Sequence, residues 1–143
     1  MCRLLVLAII IGSRAIGATS VALPQSAVPL CPAPAGVQQY GHLINLPEPI
    51  RNKLLTDDAM SDPGGPFNPT DVEDGRPMRR LIFIWQADTR WIVVAEEGGY
   101  AYNIVAYAFD FDTQNHSARL ATSEPALDRK SACANAIRLL KSR

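Results

Sequence analysis

Histidine is scarce in this chain. His42 and His116 are the only two among 143 residues. Zinc sites gather histidine and cysteine at set spacings, and two isolated histidines supply no such set. Each reads as a residue of a surface loop, and no metal is expected. The G-x-S-x-G elbow, the P-loop and the G-x-G-x-x-G turn are also missing. Their absence removes the sequence signatures of a serine hydrolase and of two phosphate-cradling loops, and no cofactor is expected. An excess of charge of one sign is lacking too, since 14 Lys and Arg stand against 14 Asp and Glu. The basic residues form no patch beyond the pair Arg79-Arg80 and the terminal Lys141 and Arg143. Nucleic-acid binding rests on a basic patch or stripe, so that class of partner is not expected. No internal repeat and no heptad run is visible.

Long apolar runs are few, and the longest opens the chain. Leu4 to Ile11 is unbroken, follows the single side-chain cation Arg3, and ends at Gly12. A membrane-spanning helix needs about 20 apolar residues, and Arg14 interrupts this one too early. Ser20-Val21-Ala22 puts small side chains at the two positions that a signal peptidase reads. Residues 1–22 are therefore expected to be an export signal cleaved after Ala22, with no membrane span left behind. A lipid anchor on Cys31 is disfavoured, because Pro29 and Leu30 stand where small residues are wanted.

Cleavage changes the cysteine arithmetic. Of three cysteines, Cys2 leaves with the signal, and Cys31 and Cys133 remain. An even pair in an exported protein points to a disulfide. Position 133 less position 31 makes a closed loop of 102 residues, worth about 4.7 kcal/mol in the chain-entropy model. That is a large share of the ~5–15 kcal/mol that holds a domain folded. Taking 22 residues from 143 leaves 121, one domain able to bury about two thirds of its unfolded surface. Arg3 and Arg14 go with the signal, leaving 12 basic against 14 acidic residues and a net charge of −2.

Residues 23–45 read as an extended Pro/Ala-rich arm, with Pro24, Pro29, Pro32 and Pro34 opposing regular structure. Residues 46–143 read as a single domain. A short helix is expected within 46–56, starting at Pro49, with Ile50, Leu54 and Leu55 as its apolar stripe. Residues 57–78 form a long loop that carries Asp57, Asp58, Asp62, Asp71, Glu73 and Asp74 among four prolines and three glycines. Loops this long tend to be functional or mobile. Phe67 in its middle is expected to plug the loop onto the core, with a wait for a partner as the less common alternative. A calcium-binding reading fails on spacing, because the EF-hand pattern is absent, and a solvated acidic loop is favoured.

Strands follow at 80–86, 91–96 and 102–109, rich in β-branched and aromatic residues. Eight of the ten aromatics lie between Phe83 and Phe111, which places the core. A fourth strand is expected at 117–122. Alternation puts Leu81, Phe83 and Trp85 on one face and Ile82 and Ile84 on the other, and sets Val93 and Ala95 opposite Ile92 and Val94. Both faces are therefore apolar. The C-terminal segment reads as a helix capped by Ser123, with Ala126, Cys133, Ala136, Ile137 and Leu140 on one stripe. The fold class is α+β: a three- to four-stranded antiparallel meander packed against a C-terminal helix, with a short N-terminal helix and a long acidic loop. The second face has only the short helix and the loop to cover it. This thin cover suggests a partner site or a dimer interface.

The stretch with most chemical promise is the hairpin around Gly98-Gly99. It gathers Glu96, Glu97, Tyr100, Tyr102 and Asn103 at one end of the sheet. Asp110 and Asp112 lie at the other end, near Asp88 and Arg90. At about 3.3 Å per residue the two acidic groups stand about 20 Å apart, too far to form a hydrolase pair, which needs about 5–10 Å. Glu96 and Glu97 point to opposite faces if both lie in the strand. The arginines read as members of cross-strand ion pairs. Asn115-His116-Ser117 is a glycosylation sequon.

These readings converge on a small exported protein, periplasmic rather than fully secreted, stabilised by a disulfide and acting by binding a protein. An inhibitor, an immunity protein or an adaptor fits that description. The expected contact residues are Glu96, Glu97, Tyr100, Tyr102 and Asn103 at the tip, with Phe67 and Asp71 in the loop. The alternative is a small secreted hydrolase that uses Glu96 or Glu97 as acid or base. It requires a concave pocket holding one of them with a raised pKa.

Overall fold

The computed structural model describes residues 31–56 and 58–142. The expected signal at 1–22, the arm up to residue 30, and Asp57 lie outside the described residues. The chain runs β1 (Gln38–Tyr40), a 3-10 turn (Leu43–Asn45), α1 (Glu48–Leu54), β2 (Met60–Ser61), β3 (Arg79–Ala87), β4 (Arg90–Glu97), β5 (Asn103–Asp112), β6 (Ser117–Ala126) and α2 (Arg129–Lys141). One six-stranded sheet has the order β1-β3-β4-β5-β6, with β2 also on β3. The last four strands are the antiparallel meander read from the sequence, packed against the C-terminal helix. The fold is α+β.

The meander is broader than the sequence suggests. The arm ends in structure: β1 pairs antiparallel with β3, Gln38 opposite Gln86 and Tyr40 opposite Ile84. Tyr40 stacks on Trp91 at 5.8 Å and donates its hydroxyl proton to Gln86 Oε1 at 2.8 Å. The long loop contributes β2, which pairs parallel with Arg79 and Arg80.

The fourth strand is ten residues long, with Ser117 opposite Asp112 and Ala126 opposite Ile104. Ser123 therefore sits inside β6 opposite Tyr107 and does not cap the helix. Asp128 does so instead, its carboxylate accepting the Ser131 N–H at 2.8 Å. With the start moved, the inward stripe of α2 is Ala132, Ala136 and Leu139, flanked by Cys133, Ile137 and Leu140. Ala126 belongs to the strand.

Each sheet face carries its own core. Phe83, Trp85, Ile92, Val94, Ile104, Ala106 and Ala108 pack under α2. Leu81, Ile84, Trp91, Val93, Ala95 and Phe109 pack with Leu46, Ile50, Leu54 and Met60. Leu81 and Phe83 thus lie on opposite faces, against strict alternation. The reason is a bulge: Leu81 opposes Ala95 and Phe83 opposes Val94, leaving Ile82 unmatched. One extra residue inverts the facing of the residues beyond it. The second face is closed, not open. Ile84, Val93 and Ala95 are fully buried there, so that face offers no partner or dimer surface at its centre. The closing helix α1 starts with Pro49 in its first turn, and Arg79 Nη1 donates to its last carbonyl, on Leu54.

The disulfide Cys31–Cys133 is formed. It ties the segment before β1 to α2, on the face that α2 covers.

Candidate functional site

The β4–β5 hairpin and the long loop meet at one end of the sheet. Gly98 N–H donates to the Met78 carbonyl at 2.7 Å, and a Cβ added at Gly98 would lie 2.0 Å from the Asn68 carbonyl oxygen. Only a glycine allows that approach. Asn68 is fully buried and organises the loop. Its amide donates to the Val72 carbonyl at 2.6 Å and to Asp74 Oδ1 at 3.1 Å, and its oxygen accepts from Thr70 N–H and hydroxyl at 2.9 and 2.8 Å. Phe67 is only 9% exposed. It meets Tyr102 edge-on at 6.4 Å, with the Arg80 guanidinium 4.7 Å over its ring. It is the plug, so as a contact residue for a partner it is already engaged.

Parity places Glu96 and Glu97 on opposite faces, as read. On the α2 face, the Glu96 side chain is 4% exposed and fully bonded. Arg80 Nε and Nη2 approach Oε2 at 2.8 and 2.6 Å, while Arg129 Nη2 and the Tyr102 hydroxyl donate to Oε1, both at 3.0 Å. Burial pushes the Glu96 carboxyl pKa up, but the hydrogen bonds from Arg80, Arg129 and Tyr102 outweigh it and hold the net value below the ordinary one. Burial and the Glu96 carboxylate raise the Tyr102 phenol. On the α1 face, Glu97 accepts from the Tyr107 hydroxyl and lies 3.3 Å from Arg79 Nε. Burial, then the bond to Glu97, pushes Tyr107 up to about 12.

The remaining tip residues divide by exposure. Tyr100 is 99% exposed. Tyr102 is 42% exposed, and its hydroxyl serves Glu96. Asn103 is half-buried and donates to the Ala101 carbonyl at 3.1 Å. Asp71 is exposed on the loop, next to exposed Val72. The structure therefore brings Glu96, Tyr102 and Phe67 into one cluster, puts Glu97 on the far side of the sheet, and leaves Tyr100 and Asp71 outward. At the opposite end, Asp110 bridges Arg90 at 3.0 Å and Arg119 at 2.6 Å. Asp112 caps the following turn through Gln114 and Asn115, and the Asn115 side chain and backbone bonds hold its carboxyl low.

Three arginine partners of this site are not placed by the sequence. Arg79 and Arg80 do form cross-strand ion pairs, and their partners are Glu97 and Glu96 in the β3–β4 register. Counting back from the β3–β4 turn finds that match only once the bulge at Ile82 is allowed. Arg129 was hidden by the misplaced start of α2. A cavity of about 630 Å³ opens beside this cluster, between α2, the bulged part of β3 and the turns near Gly41 and Gly64.

A general acid or base must exchange its proton near working pH. Glu96 lies in a concave site, but its arginine clamp moves its pKa the opposite way from the hydrolase requirement. Among the described residues, no three His, Cys, Asp or Glu side chains gather as metal ligands would. Comparison with known proteins adds no relative: no family model, no curated protein and no solved structure matches the chain.

Proposed function

We propose that this is a small exported protein, resident in an oxidising periplasm, that acts by binding another protein through the β4–β5 tip and the adjoining loop. The observation that carries this reading is Tyr100, an almost wholly exposed aromatic on a turn whose base is held rigid. The Gly98–Met78 hydrogen bond and the Glu96 cluster brace that base from two sides. A large ring presented on an ordered support binds with little entropic loss, which is why tyrosine anchors interfaces. Val72 and Asp71 lie outward on the loop that packs against the same hairpin. The bridge from Cys31 to Cys133 supports the exported setting, since such bonds persist in oxidising compartments. Among the described residues no helix is long and apolar enough to cross a membrane.

A photo-crosslinking side chain at position 100 tests the contact in the native host. Position 120, an exposed leucine toward the other end of the sheet, serves as control. The expected result is one discrete adduct from position 100, none from position 120, and loss of the adduct when Tyr102 is changed to Ala. Equal labelling from both positions, or none from either, overturns the proposal. Mass spectrometry of the exported material tests the compartment, with a mature start after Ala22 expected.

A further inference from the structure

The cavity beside Glu96 plays no part in binding through the hairpin tip, yet it has the make-up of a ligand site. Its volume, about 630 Å³, falls in the range of small-molecule pockets, roughly 300–1,000 Å³. One wall is apolar: Ile82, Pro63 and Cys133 present open surface, backed by the buried Phe83, Val94, Ala132 and Cys31. The bulge helps to build that wall, because it turns Ile82 out of the strand pairing and toward the α2 side. The other wall is charged and unbalanced. Arg80 and Arg129 line it against the single carboxylate of Glu96, so one positive charge is left over. Gln39 and His42 lie on the rim, and His42 faces Asp62 at 3.3 Å.

The donors are not exhausted. A guanidinium carries five N–H groups. Arg80 directs Nε and Nη2 at Glu96, whereas Arg129 directs only Nη2 there. The side chain of Arg129 is 47% exposed and that of Arg80 28%. Glu96 serves as a fixed spacer that holds the two cations side by side. Like charges held together over an apolar wall favour a ligand with one anionic head and an aliphatic body.

We propose that this cavity binds a carboxylate-headed amphiphile, the head on Arg129 and the open side of Arg80, the aliphatic chain along Ile82, Pro63 and the Cys133 end of the disulfide. The site does not include Tyr100, although it shares the Glu96 cluster with the base of the hairpin.

Titration calorimetry on the oxidised protein tests this with three probes. Octanoate carries both features, octanol lacks the charge and acetate lacks the chain. Octanoate is expected to bind at least about tenfold more tightly than either of the others, as a charge-assisted contact and an apolar contact each supply such a factor. Arg129→Gln should weaken octanoate about tenfold and leave octanol unchanged, and Arg129→Lys should restore part of the loss. Ile82→Trp, which fills the apolar wall, should weaken octanoate and octanol alike. Tyr100→Ala should change none of these values, which separates this site from the hairpin contact. The proposal is overturned if octanoate shows no heat up to millimolar concentration, if octanol matches it, or if Arg129→Gln binds as wild type does. Should Arg129→Gln prove unfolded, the three-probe comparison on wild type and the Lys variant still decide the matter.

Discussion

Glu96 illustrates how one buried charge can be tolerated at the end of a sheet. Removing its carboxylate would leave Arg80 and Arg129 facing each other without their shared counter-ion. Breaking a buried ion pair from one side is destabilising by about 3–5 kcal/mol, and the partial solvent access of both arginines reduces this. Glu96→Ala is expected to lose about 2–3 kcal/mol in urea unfolding at neutral pH. The pH dependence follows from the direction of the shift. The folded carboxyl titrates below its ordinary value near 4.5, so its contribution is whole above that pH and is lost as the pH falls through the folded value. The stability gap between wild type and Glu96→Gln should therefore be widest near pH 7 and close as the solution is acidified below 4.5. Gly98 is the other residue with no substitute. A methyl group there would meet the Asn68 carbonyl at 2.0 Å, and Gly98→Ala is expected to cost about 2 kcal/mol or more through forced displacement of backbone. Limited proteolysis should then cut residues 62–78 faster than in the wild type, where Asn68 ties the loop together.

At the level of elements, the four strands of the meander were plain in the sequence, whereas the short β1 and β2 and the joints were not. Runs such as Ile92-Val93-Val94 have few other homes than a sheet, and the Gly98-Gly99 pair marks its turn. Opposed faces for Glu96 and Glu97 followed from strand parity alone. The bulge at Ile82 could not be read, because a run of five apolar residues gives no sign of which one drops out of register. Its consequence reached the candidate site, since the pairing of Arg80 with Glu96 depends on that one-residue slip. The start of α2 failed for a different reason. Ser123 and Glu124 make an acceptable cap in isolation, but Tyr107, Ala106, Val105 and Ile104 of β5 pair with Ser123 to Ala126 and keep them in the strand. Tertiary pairing won over local propensity. A direct test contrasts the two capping positions: Asp128→Ala should lower the unfolding midpoint and the helix content, while Ser123→Ala should leave both near wild type. Equal effects would return Ser123 to the role of cap.

For the whole molecule, the consequence of the two-sided sheet is that neither core is large, and the chain depends on its clasp. The bridge spans 102 residues, and it joins the segment before β1 to the first half of α2, on the face that α2 covers. The strand nearest the N-terminal cysteine, β1, has three residues and three register partners on β3, too few to hold itself in place. Without the bridge, the entropy of the unfolded chain rises by an amount worth about 4.7 kcal/mol, and the loss should not fall evenly. Strands β3 to β5 pair with each other along their length and carry both cores, so they should keep their protection. The segment from Cys31 to Tyr40 and the helix α2 should open first. Hydrogen exchange on the Cys31→Ser/Cys133→Ser double variant checks this, with early exchange in those two elements and late exchange in β4 as the expected order. A uniform rise across the sheet would mean instead that the bridge acts on the fold as a single cooperative unit, and that α2 needs no clasp to stay on its face.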